Sequence, residues 1–557
     1  MRRLSLVLMV CALQGCVAEE GVAGASAVAR TELPQCEPAQ LLGRVPEPGE
    51  VEAHRKFTLP TVDYPHGTRK DMWGLSVTLR VDEAGTPVCF KVSEAFGEKV
   101  PLDAQRKALI SSLGGWRYIP LMRGGRAVPM VVTEPIREQE LPGPHVPLPS
   151  VPLSKVRIVL ARSGCFGTCP SYLVELRGDG SVRYKGGGFV DVEGEHNYQV
   201  PAAEVAALVD SLRAKDLWSM QPSYRAGITD NPTYELVIDM GGQVRRIEDY
   251  VGAMAGMPAA ISEFEDEVDK IARSANWVKL SGEAIDRLQE EGFAFDSQAG
   301  ADLLARAVTN DDGHDDAAMA RLIELGAPIE GAKLDGWMRA ASPVPLIESA
   351  LRQRRVVLID PLVAAGALKT GGHFDQGKID AAFRAAIEGG NLAAVQAIWG
   401  IAGTKRHPGL TFVDQSEIDD GEPVRKEAPV TLLLSGRYLP KSEWQGFAIA
   451  RWLVAQGCDI KATRANGDTL LHIAAEANDV AFVRYLLDQG LDPSASGEFG
   501  LPPLGGTQNE DVALLLLQAG TDLRMMDGDG QRFLNYARDN HWGRVVARLQ
   551  RQEVTGD

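Results

Sequence analysis

The fold of the C-terminal half of the chain is indicated most clearly by residues 466–493, which read NGDTLLHIAAEANDVAFVRYLLDQGLDP. This stretch begins with a glycine-containing turn. Two short segments follow, in which apolar residues recur at the three- and four-residue spacing of amphipathic helices. The second segment ends at Gly490, a residue type that commonly terminates helices. The stretch therefore predicts a turn followed by a helix pair, a unit too small to bury its own apolar face.

The glycine that ends this unit recurs along the C-terminal half at intervals close to 33 residues. The interval is 34 residues from Gly292 to Gly326, 33 from Gly457 to Gly490 and 30 from Gly490 to Gly520. A period of this length is typical of repeat proteins, in which neighbouring helix pairs stack into one continuous core.

The segment NGDTLLHIAA at residues 466–475 resembles the ankyrin repeat. The resemblance implies an all-α solenoid of roughly six degenerate units over residues 280–552, with residues 404–429 inserted as a loop. It also implies that His472 is a buried residue whose hydrogen bonds connect neighbouring turns.

The ankyrin resemblance further implies a protein partner, bound on the concave face that turn tips and first helices form. The candidate contact residues lie at the tip of the clearest turn. They are Arg464, Asn466 and Asp468. The alternative for these three is a purely solvated turn.

The bulk composition is that of an ordinary globular protein with several domains. The chain has 557 residues, of which 45% are hydrophobic and 24% are charged. At about 150 residues per domain, this length predicts three to four domains. The formal net charge of −17 repels phosphate groups, so we expect no broad nucleic-acid surface.

The first residues have the layout of an export signal. Arg2 and Arg3 precede an apolar run at residues 4–13 that is too short to span a bilayer. The run leads into Gly15-Cys16, which resembles the bacterial lipobox. The resemblance implies a signal peptide over residues 1–15 and a lipid anchor on Cys16.

The same resemblance implies a location in the bacterial cell envelope. Val17 stands where an aspartate commonly retains lipoproteins at the inner membrane, so we expect an outer-membrane lipoprotein facing the periplasm. The alternative is ordinary cleavage near Ala18, which would release a soluble periplasmic protein.

Two segments precede the middle of the chain. Residues 16–67 are rich in Pro, Glu and Gly and predict a tether with little regular structure. Residues 68–140 predict a small α+β domain. Its elements are expected as a hairpin at 75–81 and 87–93, a helix at 102–114 and a strand at 127–136.

The order of these elements, with VDEAG at 81–85 and WRYIP at 116–120, resembles the C-terminal domain of TonB energy transducers. The resemblance implies a fold that binds peptide by adding a strand to a sheet edge. The chain departs from a transducer because a lipobox, and no inner-membrane helix, precedes the domain.

A Pro-rich linker at residues 141–153 predicts an extended, semi-rigid spacer before the next domain. Residues 154–279 predict a second α+β domain of strands and two helices, which begin near residues 201 and 258. Its motifs SGCFGTCP at 163–170, DNPT at 230–233 and DYVG at 249–252 resemble a bacterial domain family of unknown function.

A pair of cysteines is the strongest candidate for a chemically reactive or metal-binding site. Cys165 and Cys169 are four residues apart in a glycine-containing loop, and a structural disulfide, a metal site and thiol redox chemistry are all open. We expect a disulfide there because no second cysteine pair is close and the spacing is not that of redox motifs. A second disulfide between Cys36 and Cys89 would attach the tether to the first domain.

Asp230, Asp249 and Tyr250 are weaker candidates for acid–base chemistry, since turn residues of these types more often satisfy backbone groups. We find no Gly-rich phosphate loop, nucleophile elbow or metal-binding helix motif, and we expect no catalytic residues, metal or cofactor.

Three hypotheses follow from the sequence. The first is an envelope-tethered protein-binding scaffold that acts through ankyrin repeats. The second is a thiol-redox or other enzyme centred on Cys165 and Cys169. The third is a TonB-like coupler that binds a receptor peptide.

Overall fold

The computed structural model describes most of the chain from residue 33 onward. The described ranges are 33–42, 50–67, 74–94, 102–123, 125–310, 315–333, 345–401, 412–413, 426–433, 444–464, 466–527 and 531–555. The predicted fold class is confirmed, because two small α+β domains precede an all-α solenoid. The predicted signal peptide at 1–15 and the predicted lipidation site, Cys16, lie outside the described residues.

The first domain is an antiparallel sheet with a helix packed on one face. Its strands are β1 (Val62–Tyr64), β2 (Leu75–Val81), β3 (Pro87–Glu94), β4 (Leu121–Arg123), β5 (Arg126–Val128), β6 (Met130–Ile136) and β7 (Glu138–Glu140). Its helices are α1 (Glu50–His54) and α2 (Ala104–Ser112). The main sheet has the order β3-β2-β6. The alternating residues of β2 turn Val77 and Leu79 inward, where they are fully buried against Leu113.

The prediction of an unstructured tether is wrong for residues 33–42 and 50–67, which pack on the first domain. Val62 and Tyr64 are buried on either side of an exposed residue, and β1 pairs in parallel with β7. Arg55 forms an ion pair with the buried Glu134, with an N–O distance of 2.6 Å. The Pro- and Glu-rich composition hid this short alternating strand, whose apolar side chains reach a core that only the folded domain provides.

The second domain is built on a seven-stranded sheet. Its strands are β8 (Val156–Arg162), β9 (Tyr172–Arg177), β10 (Ser181–Gly186), β11 (Gly194–Gln199), β12 (Ser223–Arg225), β13 (Tyr234–Met240) and β14 (Gln243–Tyr250). The sheet order is β11-β10-β9-β8-β13-β14-β12. The sequence did not predict β11 and β12, which form the two edges.

Two helices cover one face of this sheet. They are α3 (Ala202–Ala214) and α4 (Ala259–Ala272). Ile158, Leu160 and Leu176 on the sheet are fully buried under them, together with Val205 and Phe264 from the helices. The other face carries charged strand residues such as Arg157, Glu175 and Arg183, as expected for a largely antiparallel sheet with one solvated face.

The Pro-rich linker, which is predicted to be an extended, semi-rigid spacer, packs on the second domain. The Val146 amide donates to Ser219 Oγ at 2.7 Å, and Val151 and Leu153 pack against the domain core. Gly178 lies so close to the Leu153 carbonyl that a Cβ there would approach the oxygen to 1.7 Å. The linker has no regular structure up to Pro152 but is fixed by these contacts.

The first two domains meet through the strand that precedes the linker. The Glu140 amide donates to the Gly256 carbonyl at 2.8 Å, and Arg137 Nη2 donates to the Met257 carbonyl at 3.0 Å. These two contacts, one from the backbone and one from a side chain, attach the end of the first domain to the turn before α4.

The C-terminal half is a stack of short helices. They are α5 (Ala275–Val278), α6 (Gly282–Glu290), α7 (Gln298–Thr309), α8 (Asp316–Glu324), α9 (Leu346–Arg352), α10 (Ile359–Ala364), α11 (Gln376–Glu388), α12 (Leu392–Gly400), α13 (Gly446–Ala455), α14 (Leu470–Glu476), α15 (Val480–Asp488), α16 (Glu510–Ala519), α17 (Arg524–Asp527), α18 (Gln531–Asp539) and α19 (Gly543–Thr555). Two-residue strands complete the turns. They are β15 (Lys369–Thr370), β16 (His373–Phe374), β17 (Phe412–Val413) and β18 (Lys426–Glu427).

First helices contact first helices along this stack, and second helices contact second helices. The contacts run from α7 to α9 and α11 on one side, and from α15 to α16 and α19 on the other. Two units use a one-turn 3-10 helix as their first helix, at Pro429–Leu432 and Pro503–Gly506. The described residues therefore contain seven helix pairs, one more than the sequence period indicated.

The solenoid shares its core with the second domain. The Leu280 amide donates to Asp191 Oδ2 at 2.7 Å, and Arg306 Nε donates to the Asp191 carbonyl at 2.8 Å. Trp277 is buried at this junction and stacks on His196 with a ring-centre distance of 4.3 Å. The expected boundary at residue 280 is thus a continuous packed interface.

Candidate functional site

The clearest turn of the solenoid is fixed by a capped helix start. Thr469 precedes α14, and its hydroxyl accepts a hydrogen bond from the Leu471 amide at 3.2 Å. The Thr469 amide donates to His472 Nδ1 at 3.0 Å, and His472 Nε2 lies 3.2 Å from the Leu501 carbonyl of the next turn. The imidazole therefore joins two successive turns, as the resemblance implied.

These partners fix the tautomer of His472. Nδ1 accepts from an amide, so Nε2 carries the proton and donates to the carbonyl. Burial lowers the pKa of His472, which keeps the ring neutral. A neutral ring that bridges two backbones is a structural group rather than a catalytic base.

The three predicted contact residues have different surroundings. Arg464 Nε donates to the Thr431 carbonyl at 2.7 Å, and Arg464 Nη2 donates to the Leu433 carbonyl, so its guanidinium holds the preceding unit. Asn466 is exposed, and its Nδ2 donates to Asp468 Oδ2 at 2.9 Å.

Asp468 also contacts the next turn of the solenoid. Its Oδ1 accepts a hydrogen bond from the Glu498 amide at 3.0 Å. The tips at 466–468 and 496–500 therefore form one continuous surface.

Phe499 is the most prominent residue of this surface, and the sequence analysis missed it. Its side chain is 88% exposed. Its φ of +56° lies in the left-handed region, which is uncommon for a bulky residue and marks local backbone strain. The signal was an aromatic residue between two glycines in a turn, at 497–500.

The structure brings together three motifs of the second domain. Ser163 and Thr233 exchange two hydrogen bonds, since the Ser163 amide donates to the Thr233 carbonyl at 2.9 Å and the Thr233 amide donates to Ser163 Oγ at 2.8 Å. The Phe166 amide donates to the Asp230 carbonyl at 3.2 Å, and the Asn231 amide lies 3.4 Å from Tyr250 Oη. The motif loops thus cluster at one end of the sheet.

Cys165 and Cys169 are joined by a disulfide within this cluster. The bond closes a short loop between β8 and β9 and presents Phe166, whose side chain is 70% exposed. The loop lies between two strands and not at the start of a helix, where a dipole would lower a thiol pKa. The disulfide therefore constrains an exposed loop, and its position does not favour redox chemistry.

A second disulfide joins Cys36 in the tether segment to Cys89 in β3. Beside it, the Cys36 amide donates to the Phe90 carbonyl at 2.8 Å and the Phe90 amide donates to the Pro34 carbonyl at 3.0 Å. Residues 34–36 therefore occupy the outer edge of β3.

Two buried carboxyl groups lie near each other, Asp249 on β14 and Glu265 on α4. Asp249 is buried and accepts a hydrogen bond from the Gly252 amide at 2.6 Å, while burial raises its pKa. Glu265 is 1% exposed, and its Oε1 has no hydrogen-bond partner in the described structure. Burial, with the nearby Asp249 charge, raises the pKa of Glu265 to about 8.

Arg162, whose charge acts on both acids, forms an ion pair with Asp269, with Nη2 2.6 Å from Asp269 Oδ2. Asp249 and Glu265 are both buried, and the raised pKa of Glu265 favours its protonated form. Asp230 lies apart from them, in an exposed turn with φ of +70°.

The described part of the chain contains neither a candidate metal cluster nor a helix that could span a membrane. No group of three or more His, Cys, Asp and Glu side chains there is placed to hold a metal ion. No helix among the described residues combines the length and apolarity needed to cross a membrane.

Comparison with protein families identifies two regions. Residues 442–549 match the family model described as ankyrin repeats (3 copies). The C-terminal region contains ankyrin repeats. Residues 156–272 match a domain of unknown function, DUF6438, which covers nearly all of the second domain.

Individual relatives are similar to parts of the ankyrin-containing chain. An E3 ubiquitin-protein ligase KEG of Arabidopsis thaliana is 29% identical over 148 residues, which is 26% of this chain. An L-asparaginase of Dirofilaria immitis is 45% identical over 53 residues, which is 10% of this chain. The chain spans 9% of the length of each of these relatives.

A solved structure of the ankyrin repeat domain of Bcl-3, described as a member of the IkappaB protein family, is also similar. It is 16% identical, and the match covers 42% of this chain and 91% of that chain with a TM-score of 0.23.

Proposed function

We propose that this protein is an envelope-tethered binding protein whose ankyrin repeats engage a protein partner. The observation that carries the proposal is Phe499, a strained and almost fully exposed aromatic residue at a turn tip. Aromatic side chains supply much of the binding energy at protein interfaces, and an exposed one in a strained backbone has no packing role that explains it.

The charges around Phe499 indicate the character of the partner segment. Glu498 and Asp492 are exposed on the same turn region, and Asp468 adjoins them. An aromatic anchor beside carboxylates suits an apolar pocket rimmed by Lys or Arg. The proposed partner therefore presents a basic and apolar surface to the turn tips.

The proposal includes a lipid anchor on Cys16 at the periplasmic side of the outer membrane. Its support is the sequence of the first sixteen residues. Fractionation of cells that express the Cys16→Ser variant tests it. We expect the wild type in the membrane fraction and the variant outside it. A wild type in the soluble periplasmic fraction would support the alternative, and a variant that stays in the membrane fraction would contradict attachment through Cys16.

The first domain is proposed to be TonB-like, on its β-β-α-β order with one packed helix. The TonB-like coupler has less support than the scaffold, because residues 34–36 already pair with the edge of β3, one of the two edges of the main sheet. The thiol-redox alternative also has less support, since the Cys165–Cys169 loop lies between strands.

Capture from detergent-solubilised envelopes tests the scaffold function. Truncation at residue 280 would cut the core shared by Trp277 and Leu280, so point variants are preferable. Phe499→Ala removes only exposed surface and should keep the fold. Phe166→Ala is the matched control, because it removes an exposed aromatic side chain outside the solenoid.

We expect Phe499→Ala to reduce the captured partner at least tenfold and Phe166→Ala to leave it unchanged. Equal capture by the wild type and Phe499→Ala would contradict the proposed role of the turn tips.

A further inference from the structure

The outermost strand of the second domain, β11, has an open edge. It pairs with β10 on one side, and the Val200 amide donates to the Gly180 carbonyl at 2.9 Å. Antiparallel pairs alternate between bonded and non-bonded positions, so Tyr198 and His196 bond to β10. The backbone groups of the alternate residues point away from the sheet. These are Glu195, Asn197 and Gln199.

This edge lacks two residue types that commonly protect edge strands. Its sequence, GEHNYQ at 194–199, contains no Pro and no Lys. The edge of β3 in the first domain is covered by residues 34–36, and no described strand lies outside β11. The outward N–H and C=O groups of β11 are therefore placed to form hydrogen bonds with an added strand.

A groove of about 370 Å³ opens on the uncovered face of the sheet beside this edge. Its polar lining comes from β9, β10 and β11. The lining side chains are Glu175, Arg177, Ser181, Arg183, Asn197 and Gln199. The groove therefore reaches the strand whose backbone is open.

The lining of the groove contains two guanidinium groups, Arg177 and Arg183, and one carboxylate, the buried Glu175. Glu175 accepts from Arg177 at 2.7 Å and from Arg183 at 2.9 Å. One carboxylate cannot use all the donors of two guanidinium groups, so donors remain for an incoming acid. These contacts also hold the guanidinium groups in place before a ligand arrives.

We propose that the open edge of β11 and this groove bind an extended acidic peptide, which adds to the sheet as an eighth strand. Main-chain hydrogen bonds to Asn197 and its neighbours would give affinity, and alternate side chains would face the groove. An acidic side chain there would meet Arg183. It would compete with Glu195, which is 48% exposed and lies 3.6 Å from that guanidinium.

The test uses the purified full-length protein with its disulfides intact and a labelled peptide, Glu-Val-Glu-Thr-Glu-Val. A peptide with Gln in place of each Glu is its matched control. We expect fluorescence anisotropy to show at least tenfold tighter binding of the acidic peptide. Ankyrin binding is not required, so this result is independent of the proposed scaffold function.

Three variants test the two halves of the proposal. Asn197→Pro removes an outward N–H without breaking the bonds to β10, and we expect it to weaken binding at least tenfold. Arg183→Gln should weaken binding of the acidic peptide by a similar factor. Glu195→Gln should strengthen it several-fold, an effect that misfolding would not produce. Circular dichroism checks the fold of each variant.

Arg246→Gln is the control variant, because Arg246 pairs with Glu235 on strands away from the groove. Absence of saturable binding up to about 1 mM peptide would overturn the proposal. So would unchanged affinity in Asn197→Pro or in Arg183→Gln. Equally tight binding of free N-acetylglutamate would also overturn it, because it would show a carboxylate site without strand addition.

Discussion

Glu265 should make the stability of the second domain depend on pH. Its carboxyl group is 1% exposed, and burial raises its pKa from 4.5 to about 8. Between these values the folded protein holds a proton that the unfolded chain has lost. The free energy of unfolding therefore falls as pH rises, by about 1.4 kcal/mol for each pH unit. From pH 5 to pH 8 the loss is on the order of 4 kcal/mol.

The Glu265→Gln variant isolates this effect, since glutamine has the same shape and no charge. We expect the variant to lose far less stability than the wild type between pH 5 and pH 8, as measured by urea unfolding with tryptophan fluorescence. Asp266→Asn is the matched control, because Asp266 lies on the same helix with a side chain that is 83% exposed. If the wild type and Glu265→Gln lost the same free energy of unfolding between pH 5 and pH 8, Glu265 would not be the source of the pH dependence.

Three further predictions concern the two ends of the molecule. Arg106→Met leaves Glu138 buried without its cation and should destabilise the first domain by about 3–5 kcal/mol in urea unfolding, whereas a loss under about 1 kcal/mol would contradict a buried ion pair. Replacing Cys36 and Cys89 by Ser opens a 53-residue separation and should cost about 4 kcal/mol by calorimetry without reductant; an unchanged melting curve would count against the bond. His472→Ala should cost about 1–3 kcal/mol at neutral pH. Because burial lowers the pKa of His472, its contribution to stability is present above the pKa of the unfolded chain and is lost as pH falls. If the stability of the wild type did not fall in acid relative to that of His472→Ala, this prediction would be wrong.

Elements with a strong local pattern could be predicted from the sequence. The hairpin of β2 and β3 alternates in hydrophobicity, and the helix pair of α14 and α15 repeats a clear period. β11 could not be predicted in this way, because its sequence is polar and its two inward residues, His196 and Tyr198, become apolar contacts only beside Trp277.

Long-range pairings explain the other differences. The backbone pairing of residues 34–36 with β3 joins segments more than fifty residues apart, whereas the disulfide between Cys36 and Cys89 was expected. No local pattern signals which edge such a segment will cover.

Among the site residues, those in a local motif could be predicted, and those whose role depends on distant contacts could not. The turn at 466–468 was found from its motif, but Arg464 proved to hold the backbone of the preceding unit. Glu265 left a signal that was missed, since it lies at helical spacing between the buried Phe264 and Val268. A charged residue on an apolar stripe indicates a buried ionisable group.

Photo-crosslinking from position 499 tests directly whether the ankyrin turn tips contact a protein partner. A photoreactive phenylalanine analogue would replace Phe499 in cells, and the same analogue at Phe166 would serve as the control. The account predicts one major protein adduct from position 499 and none of that adduct from position 166. An adduct from position 166 alone would contradict recognition by the ankyrin turn tips, and so would no adduct from position 499.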